Sequence, residues 1–404
     1  MVHRGLSSFR DKKIVLLQGP VGPFFKNLAE DLEEIGANVQ KINFNGGDWF
    51  FSSGNAINFT GKLEEWSGFF SDFIEQYAID TVILFGDCRE YHRVAHAIAS
   101  QRNLDIGIFE EGYVRPDFIT FEEFGVNGNS QLSRNPNFYK TLDEDQFSVD
   151  ETTSVGNTFW WAAGYAIVYY FFSALLAPFF RHYQHHRSLS LWETVYWIRS
   201  IWRKQWYRLC ESGMQNDLIT NHSKKYYLLP LQISTDAQVR EHSHFSSVEH
   251  FIEKSISSFA SYSPKDTLLI IKHHPLDRGY HDYAHFIKRV ADHHNVTHRV
   301  HYIHDQHLPS LLDNALGVVM INSTVGLSAL HHNTPLKACG TAIYDFEGLT
   351  YQNSLEHFWN DAQEYEIDRD LYQRFKGYVI MNKQINGNFY KTLEESRLKC
   401  GVLW

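Results

Sequence analysis

The chain has 404 residues and a formal net charge of −10, so it is long enough for two domains with full cores, and its charge predicts no nucleic-acid partner. Its 4 cysteines stand far apart without a Cys-x-x-Cys pair, which disfavours zinc or a disulfide framework and fits a reducing cytoplasm. The short apolar run after Lys13 predicts a first strand and not a signal peptide.

Strand and helix patterns alternate through residues 1–150, which predicts an N-terminal Rossmann-like domain. Strands are predicted at 13–18, 39–44, 81–87 and 105–109, and helices at 24–36, 62–77 and 89–102. Parallel sheets of this kind bind ligands at the carboxyl ends of their strands. Polar turns follow three of the strands, and their candidate residues are Gly19, Arg89, Glu110, Glu111 and Arg115.

The pair Glu110 and Glu111 is unusual because it directly follows a short apolar run, "DIGIF". Two close carboxylates repel each other, so the pair is either half-solvated and without consequence or positioned for chemistry. Neighbouring side chains of a strand point to opposite sides, so we expect the two carboxylates to diverge.

Residues 151–220 interrupt the alternation and predict a helical aromatic insertion. The run 159–180 has no charge and by length could span a membrane, but its Trp and Tyr side chains are typical of a lipid headgroup interface. The run 181–209 is basic and rich in Trp, and helical spacing lets Arg199, Arg203 and Lys204 face outward, as in membrane-surface helices. An interfacial hairpin, a buried insertion and a true span all stay open.

Alternation resumes in residues 221–404, which predicts a second Rossmann-like domain with a C-terminal helical tail. Strands are predicted at 226–232, 267–275, 300–304, 317–323 and 335–340, and helices at 247–262, 308–315 and 324–333. The predicted fold is therefore α/β, with two Rossmann-like domains that face a cleft and a helical aromatic insertion between them. This outline is GT-B-like, although periplasmic binding proteins share it.

Two strand ends of the second domain carry residues suited to an anion. Hydroxyl side chains at the start of a helix either cap it or hold a phosphate, and a Lys or His at a strand end suits the same group. The candidates are Lys272, His274, Pro275, Asn322, Ser323 and Thr324. Gln232 and Asp236 bracket a third turn, where Asp236 either caps a helix or takes part in two-carboxylate glycosyl chemistry.

The sequence resembles the capsule polysaccharide biosynthesis family, and within it the KpsS-type β-Kdo transferases of Gram-negative bacteria. Matching stretches in both halves of the chain include "FGDCREYHRVA", "FEEGYVRPDFIT", "GVNGNS", "LPLQISTD", "IKHHP" and "NSTVGLSAL". The wider family has a Glu-Asp-Gly motif, so Glu111 replaces its Asp, and Asn322 replaces a hydroxyl residue. The family motifs fall on Glu110, Glu111 and Gly112, on Gln232 and Asp236, on Lys272, His274 and Pro275, and on Asn322 and Ser323.

The resemblance implies a retaining transfer of one β-Kdo from CMP-Kdo to lyso-phosphatidylglycerol, which starts the poly-Kdo linker of a capsule polysaccharide. Asp236 would be the nucleophile, and Glu110, or less favourably Glu111, the acid/base. His274 and Ser323 would bind the CMP phosphate in the C-terminal domain, and the N-terminal domain would take the acceptor. Arg115 or Lys272 could receive the sugar carboxylate.

The resemblance also implies the partners and the location. No metal or cofactor is expected besides the donor, and the enzyme would be cytoplasmic and peripheral on the inner membrane, beside other capsule biosynthesis and export proteins. Glu110 would face Asp236 across the cleft, and Glu111 would anchor its turn through Arg115. Two other classes stay open, a transferase for another CMP-sugar of the sialic acid type and a non-enzymatic capsule assembly or export component docked on the membrane.

Overall fold

The structure, a computed structural model, describes residues 5–52, 54–149, 152–183 and 193–404. Residues 184–192, part of the predicted basic run, lie outside the described residues. The strands are β1 (Lys13–Leu16), β2 (Asn38–Asn43), β3 (Ala56–Asn58), β4 (Thr81–Phe85), β5 (Asp105–Glu111), β6 (Phe118–Glu123), β7 (Tyr226–Pro230), β8 (Leu268–Lys272), β9 (Val300–Ile303), β10 (Gly317–Met320), β11 (Leu336–Ala338) and β12 (Gln384–Asn386).

The helices alternate with these strands for most of the chain. They are α1 (Phe24–Glu34), α2 (Gly46–Phe50), α3 (Leu63–Tyr77), α4 (Glu90–Gln101), α5 (Pro136–Lys140), α6 (Phe159–Leu175), α7 (Glu193–Cys210), α8 (Met214–Thr220), α9 (Ala237–Glu241), α10 (Val248–Tyr262), α11 (Ala284–His293), α12 (Leu308–Asn314), α13 (Val325–His331), α14 (Leu355–Asp361) and α15 (Arg369–Lys383).

The chain forms two compact α/β units, which confirms the predicted α/β class. The first unit comprises residues 1–131, 143–191 and 375–404, and the second comprises 132–142 and 192–374. The units therefore do not follow the predicted ranges 1–150, 151–220 and 221–404 as unbroken segments. The expected C-terminal tail enters the first unit, because β12 pairs with β6 there.

The first sheet has the strand order β12-β6-β5-β4-β1-β2-β3. Strands β1 to β5 pair in parallel, as predicted, whereas β6 pairs antiparallel with β5 and with β12. Alternate residues of β1 enter two separate cores, with Ile14 and Leu16 on one face and Val15 on the other. Covering both faces in this way requires the continuous apolar strands that the sequence shows.

The second sheet has the order β11-β10-β7-β8-β9, with every pairing parallel. One face packs around Leu229, Ile271 and Val319 against Trp359 of α14. All five strands point the same way, so the turns after β7, β8 and β10 lie at one edge of the sheet. These turns hold the predicted candidates of the second domain.

Helix α6, the uncharged part of the predicted insertion, packs on the first unit through α2. A Cβ atom at Gly46 would lie 2.3 Å from the carbonyl oxygen of Phe172, so only glycine permits this close approach. Tyr169 is buried there and donates from its hydroxyl to Asp48 Oδ1 at 2.8 Å. Ser173 is also buried and donates to Asn45 Oδ1 at 3.0 Å. One side of α6 is therefore fixed to the protein by a polar network.

The other side of α6 remains exposed and apolar. Trp160 is 78% exposed, and Ile167, Phe171 and Leu175 are each more than half exposed. The run is thus neither wholly buried nor wholly free of the protein. Among the residues that the structure describes, no helix combines the length and apolar character needed to cross a membrane.

Candidate active site

The strand β5 extends through both carboxylates and turns their side chains to different partners. Glu110 Oε1 accepts the backbone N–H of Glu111 at 2.9 Å, and Glu110 Oε2 accepts from Asn127 Nδ2 at 3.4 Å. Burial raises the pKa of Glu110 to about 7, which neighbouring negative charge reinforces. A carboxyl with that pKa is suited to exchange protons near neutral pH.

Glu111 is held by the C-terminal segment instead of the predicted arginine. The Tyr390 hydroxyl donates to Glu111 Oε1 at 3.3 Å, whereas Arg115 Nε donates to the carbonyl of Gly112 at 3.1 Å. The expected anchoring of Glu111 by Arg115 is therefore wrong, because Arg115 stabilises the turn through the backbone. The predicted divergence of the two carboxylates agrees with their separate partners.

The turn after Glu111 depends on Gly112 of the family motif and on Gln384, which the sequence reasoning missed. Gln384 of β12 accepts the backbone N–H of Tyr113 at 2.9 Å and donates to Thr120 Oγ1 at 2.8 Å. A Cβ atom at Gly112 would lie 1.9 Å from the carbonyl oxygen of Phe118, so glycine is required there. The Gly of the Glu-Glu-Gly stretch therefore permits the tight return into β6.

Asp87 connects two stretches that are far apart in the sequence. Its Oδ2 accepts the backbone N–H of Val126 and the side-chain amide of Asn129, each at 3.1 Å. The same loop brings Asn127 to Glu110. The turn after β4 thus fixes the "GVNGNS" segment beside Glu110. This explains why the turn and the segment belong to one site.

Arg89 is the cation beside Glu110 and occupies the N-cap position before α4. Its Nη1 donates to Gln18 Oε1 at 3.0 Å, and its charge opposes the rise in the pKa of Glu110. Gln18, next to Gly19 in the turn after β1, also donates to the hydroxyls of Tyr169 and Tyr183. The three predicted turns of the first unit therefore meet at one edge of its sheet, in contact with the polar network that holds α6.

In the second unit, Gln232, Asp236 and Asn322 form one hydrogen-bonded group. Gln232 Nε2 donates to Asp236 Oδ2 at 3.2 Å and to Asn322 Oδ1 at 3.0 Å. Asp236 also caps α9, since its Oδ1 accepts the backbone N–H of Gln238 at 2.9 Å. The capping contact and the hydrogen bond from Gln232 coexist, because they use different carboxylate oxygens of Asp236.

Ser323 and Thr324 lie between β10 and the short helix α13. The hydroxyl of Ser323 accepts the backbone N–H of Val325 at 3.2 Å, which is a capping contact. Thr324 occupies the N-cap position without a side-chain hydrogen bond to the helix. Both side chains are only partly buried, so a role toward a phosphate stays a prediction.

The last residue of β8 and the residues that follow it have distinct environments. Lys272 is buried and donates from Nζ to the carbonyl of His304 at 3.0 Å, so its ammonium group is directed to the protein backbone. His274 is partly buried and accepts the backbone N–H of Leu276 at Nδ1, which places the proton of the neutral ring on Nε2. Pro275 is exposed. His274 therefore has the better donor geometry for a phosphate.

Asp277, which the sequence reasoning missed, joins two candidate turns. It is buried, and its carboxylate accepts from the backbone N–H and the hydroxyl of Ser234 at 3.2 and 3.1 Å. Its own N–H donates to the carbonyl of His274 at 3.0 Å. The turn that holds Asp236 is thereby tied to the turn that holds His274.

Within the described ranges, no group of three or more His, Cys, Asp or Glu side chains could hold a metal ion. The expectation that the reaction needs no metal stays a prediction. The expected approach of Glu110 to Asp236 also stays a prediction, since the two residues belong to separate units.

These two α/β units with polar strand ends belong to a known class. Residues 80–390 match the family described as capsule polysaccharide biosynthesis protein, and the chain belongs to that family. It is 40% identical over 381 residues to the capsule polysaccharide export protein KpsS of Escherichia coli, covering 94% of this chain and 97% of that protein. It is 39% identical over 388 residues to the capsule polysaccharide modification protein LipB of Neisseria meningitidis, covering 94% and 92%.

A solved structure offers a more distant similarity. The β-Kdo 2,7 transferase of Thermosulfurimonas dismutans KpsC is 12% identical, with 93% of this chain and 92% of that chain covered and a TM-score of 0.44. A similarity at this level carries no argument about activity. Membership of the capsule polysaccharide family therefore rests on the sequence matches.

Proposed function

We propose that this protein is a retaining glycosyltransferase that moves one β-Kdo from CMP-Kdo to lyso-phosphatidylglycerol and thereby starts the linker of a capsule polysaccharide. The observation that carries the proposal is Glu110, a carboxyl at a strand end whose pKa is raised to about 7 by burial. Such a group can accept a proton from an acceptor hydroxyl at neutral pH. The family motifs around Asp236 and His274 supply the other groups that the reaction needs.

The proposed reaction has two displacements. The Asp236 carboxylate attacks the anomeric carbon of Kdo, the bond from that carbon to the CMP phosphate oxygen breaks, and CMP leaves with the bonding electrons. The acceptor hydroxyl then gives its proton to Glu110 and attacks the same carbon, which releases Asp236. Two inversions at one carbon give net retention.

His274 and Ser323 are proposed to bind the CMP phosphate. The Nε2 proton of neutral His274 is a donor, and a hydrogen bond to a charged phosphate is worth about 1.5–3 kcal/mol. His274→Ala and Ser323→Ala should each weaken CMP binding by ~10-fold or more, as measured by calorimetric titration. Ser247→Ala is the matched control, because Ser247 caps α10 of the same unit and its loss should leave CMP affinity unchanged.

The thermal transition of each variant would show that the second unit remains folded. If both variants bind CMP as tightly as the wild type, the phosphate-site assignment is wrong.

The wild-type protein tests the reaction directly. Incubation with CMP-Kdo and a synthetic lyso-phosphatidylglycerol should give a lipid heavier by one Kdo, detected by mass spectrometry. Turnover of CMP-sialic acid instead would favour the transferase for another CMP-sugar. The words export and modification in the names of the two relatives fit a non-enzymatic component as well as an enzyme, and no turnover of either donor would favour that alternative.

The lipid acceptor implies that the protein works on a membrane surface, and we propose a cytoplasmic, peripheral position on the inner membrane beside other capsule proteins. The exposed Trp and Phe side chains of α6 support this proposal, because aromatic rings favour the lipid headgroup region. The lipid acceptor, the inner membrane and the capsule proteins are the proposed partners.

A further inference from the structure

One side of α7 holds the loop 276–282, which follows His274 and Pro275. Arg199 donates from Nη2 to the carbonyl of Tyr280 at 2.7 Å and from Nε to the carbonyl of Gly279. Arg203 donates from Nη1 to two further carbonyls of the same loop at 2.9 and 3.0 Å. Helical spacing allowed these arginines to face outward, but in the structure both donate to the carbonyls of the loop.

Further contacts fix the same loop to the helix. The rings of Tyr196 and Tyr280 stack with their centroids 4.8 Å apart. Arg278 returns a hydrogen bond to the helix, from its Nε to the carbonyl of Ser200 at 3.0 Å. The loop is therefore bound to α7 by hydrogen bonds in both directions.

The loop begins inside the candidate donor site. Asp277 donates its N–H to the carbonyl of His274 and accepts from Ser234 in the turn before Asp236. A change in the position of α7 relative to its sheet would move this loop and, with it, the backbone of His274. The arginines of α7 are thus placed to act on the site without touching a substrate.

A different side of α7 is apolar and open. The Trp202 and Trp206 rings stack with their centroids 5.8 Å apart, although both side chains are exposed. Trp side chains favour the boundary between lipid and water. The apolar stripe, each member of which is more than half exposed, consists of Val195, Ile198, Ile201, Trp202, Trp206 and Leu209.

The charge of α7 identifies what fits this stripe. Between Val195 and Cys210 the helix carries 4 basic residues and no acid, although the whole chain has a net charge of −10. Lys204 and Arg208 are exposed. Exposed indoles beside exposed cations match an anionic lipid surface, whose headgroups attract basic residues near the membrane.

We propose that α7 couples lipid binding to donor binding. Its apolar stripe lies on an anionic lipid surface, while Arg199 and Arg203 act as positioning residues that hold the loop 276–282 behind His274. Contact with lipid fixes α7, and the fixed helix reduces the freedom of the donor loop. This inference rests on the proposed function, because it assumes that the turn after β8 binds CMP.

The test combines vesicle flotation with calorimetric titration of CMP. Wild-type protein should float with phosphatidylglycerol vesicles at low salt and less at high salt, and these vesicles should tighten CMP binding by ~5-fold or more. The double variant Trp202→Ala, Trp206→Ala should no longer float, and vesicles should no longer tighten its CMP binding. Its CMP affinity without vesicles should equal that of the wild type. The double variant Arg199→Lys, Arg203→Lys keeps the charge and should float, but it should bind CMP ~5-fold more weakly, with or without vesicles.

Arg208→Lys is the matched control, since Arg208 is exposed on the same helix, and it should behave as the wild type in both measurements. The loop-positioning role is wrong if the double lysine variant binds CMP normally. Flotation of the double Trp variant would show that the stripe is not the surface that binds lipid. Self-association of the wild type that this variant abolishes would show that the stripe binds a second copy of the chain. A wild type that floats but does not bind CMP would refute the proposed donor site itself. That result differs from a failure of the coupling, in which the wild type binds CMP equally well with and without vesicles.

Discussion

Replacing Asp236 by Asn should abolish Kdo transfer while leaving the second unit folded. Asn retains an oxygen that can accept the backbone N–H of Gln238, so the cap of α9 survives. It has no carboxylate to attack the anomeric carbon, so transfer should fall by ~10⁴-fold or more, as for residues that form a covalent intermediate. Lipid product measured by mass spectrometry gives the rate.

The Asn variant separates chemistry from stability better than Asp236→Ala. The Ala variant also loses the helix cap, which costs about 0.5–2 kcal/mol, so its loss of activity would have two possible causes. Calorimetric titration should show that the Asn variant still binds CMP. Substantial transfer by this variant would mean that Asp236 is only a capping residue.

Replacing Glu110 by Gln should slow transfer by ~10²–10⁴-fold, because the acceptor hydroxyl then loses its general base. If Asp236 is the nucleophile, the first displacement still occurs, and a Kdo adduct on Asp236 should accumulate. Intact-protein mass spectrometry after incubation with CMP-Kdo would detect it. An adduct on Glu111 would mean that Glu111, and not Asp236, is the nucleophile.

The pH dependence gives an independent readout of Glu110. Its pKa of about 7 means that wild-type transfer should rise with pH through neutrality as the carboxyl ionises, and this limb should be absent in the Gln variant. The folded pKa lies above the ordinary value, so the folded state binds the proton more tightly. The contribution of Glu110 to the free energy of unfolding is fully present below the ordinary pKa of a glutamate and is lost as pH rises through about 7. Melting temperatures at pH 5 and pH 8 should therefore differ less in the Gln variant.

Glu111→Gln is the matched control for both measurements. Glu111 stands on the same strand, and its carboxylate accepts a hydrogen bond from Tyr390, which Gln can also accept. Its activity and its pH dependence should stay close to those of the wild type. A larger loss in this variant than in Glu110→Gln would assign the base to Glu111.

The sequence predicted the local elements well because their signals are local. Continuous apolar runs located β1, β4 and β8, and polar turns after strands located Glu110, Gln232 and Asp236. No local signal exists for β12, since Gln384 pairs with Thr120 in a strand far earlier in the chain. Asp277 was missed for the same reason, because its partner Ser234 is on another turn.

Helix periodicity also has a definite limit. It placed Arg199 and Arg203 on one side of a helix, but it could not say what covers that side. Only the carbonyls of the loop 276–282 decide it. In the same way, the uncharged run of α6 indicated a helix, whereas its docking depends on Gly46 at the start of α2, far away in the sequence.

The packing of residues 384–404 on the first unit has a consequence for synthesis on the ribosome. Trp404 contacts Phe9 and Phe121, and Asp31 accepts the backbone N–H groups of Lys399 and Cys400. The first unit therefore completes its core with residues that are translated long after β6. Until β12 emerges from the ribosome, the edge of β6 that pairs with it is open, so the amino-terminal half of a nascent chain stays incomplete while the second unit is synthesised. In the cell, a stalled ribosome would leave that edge exposed to chaperones and proteases for the duration of the stall.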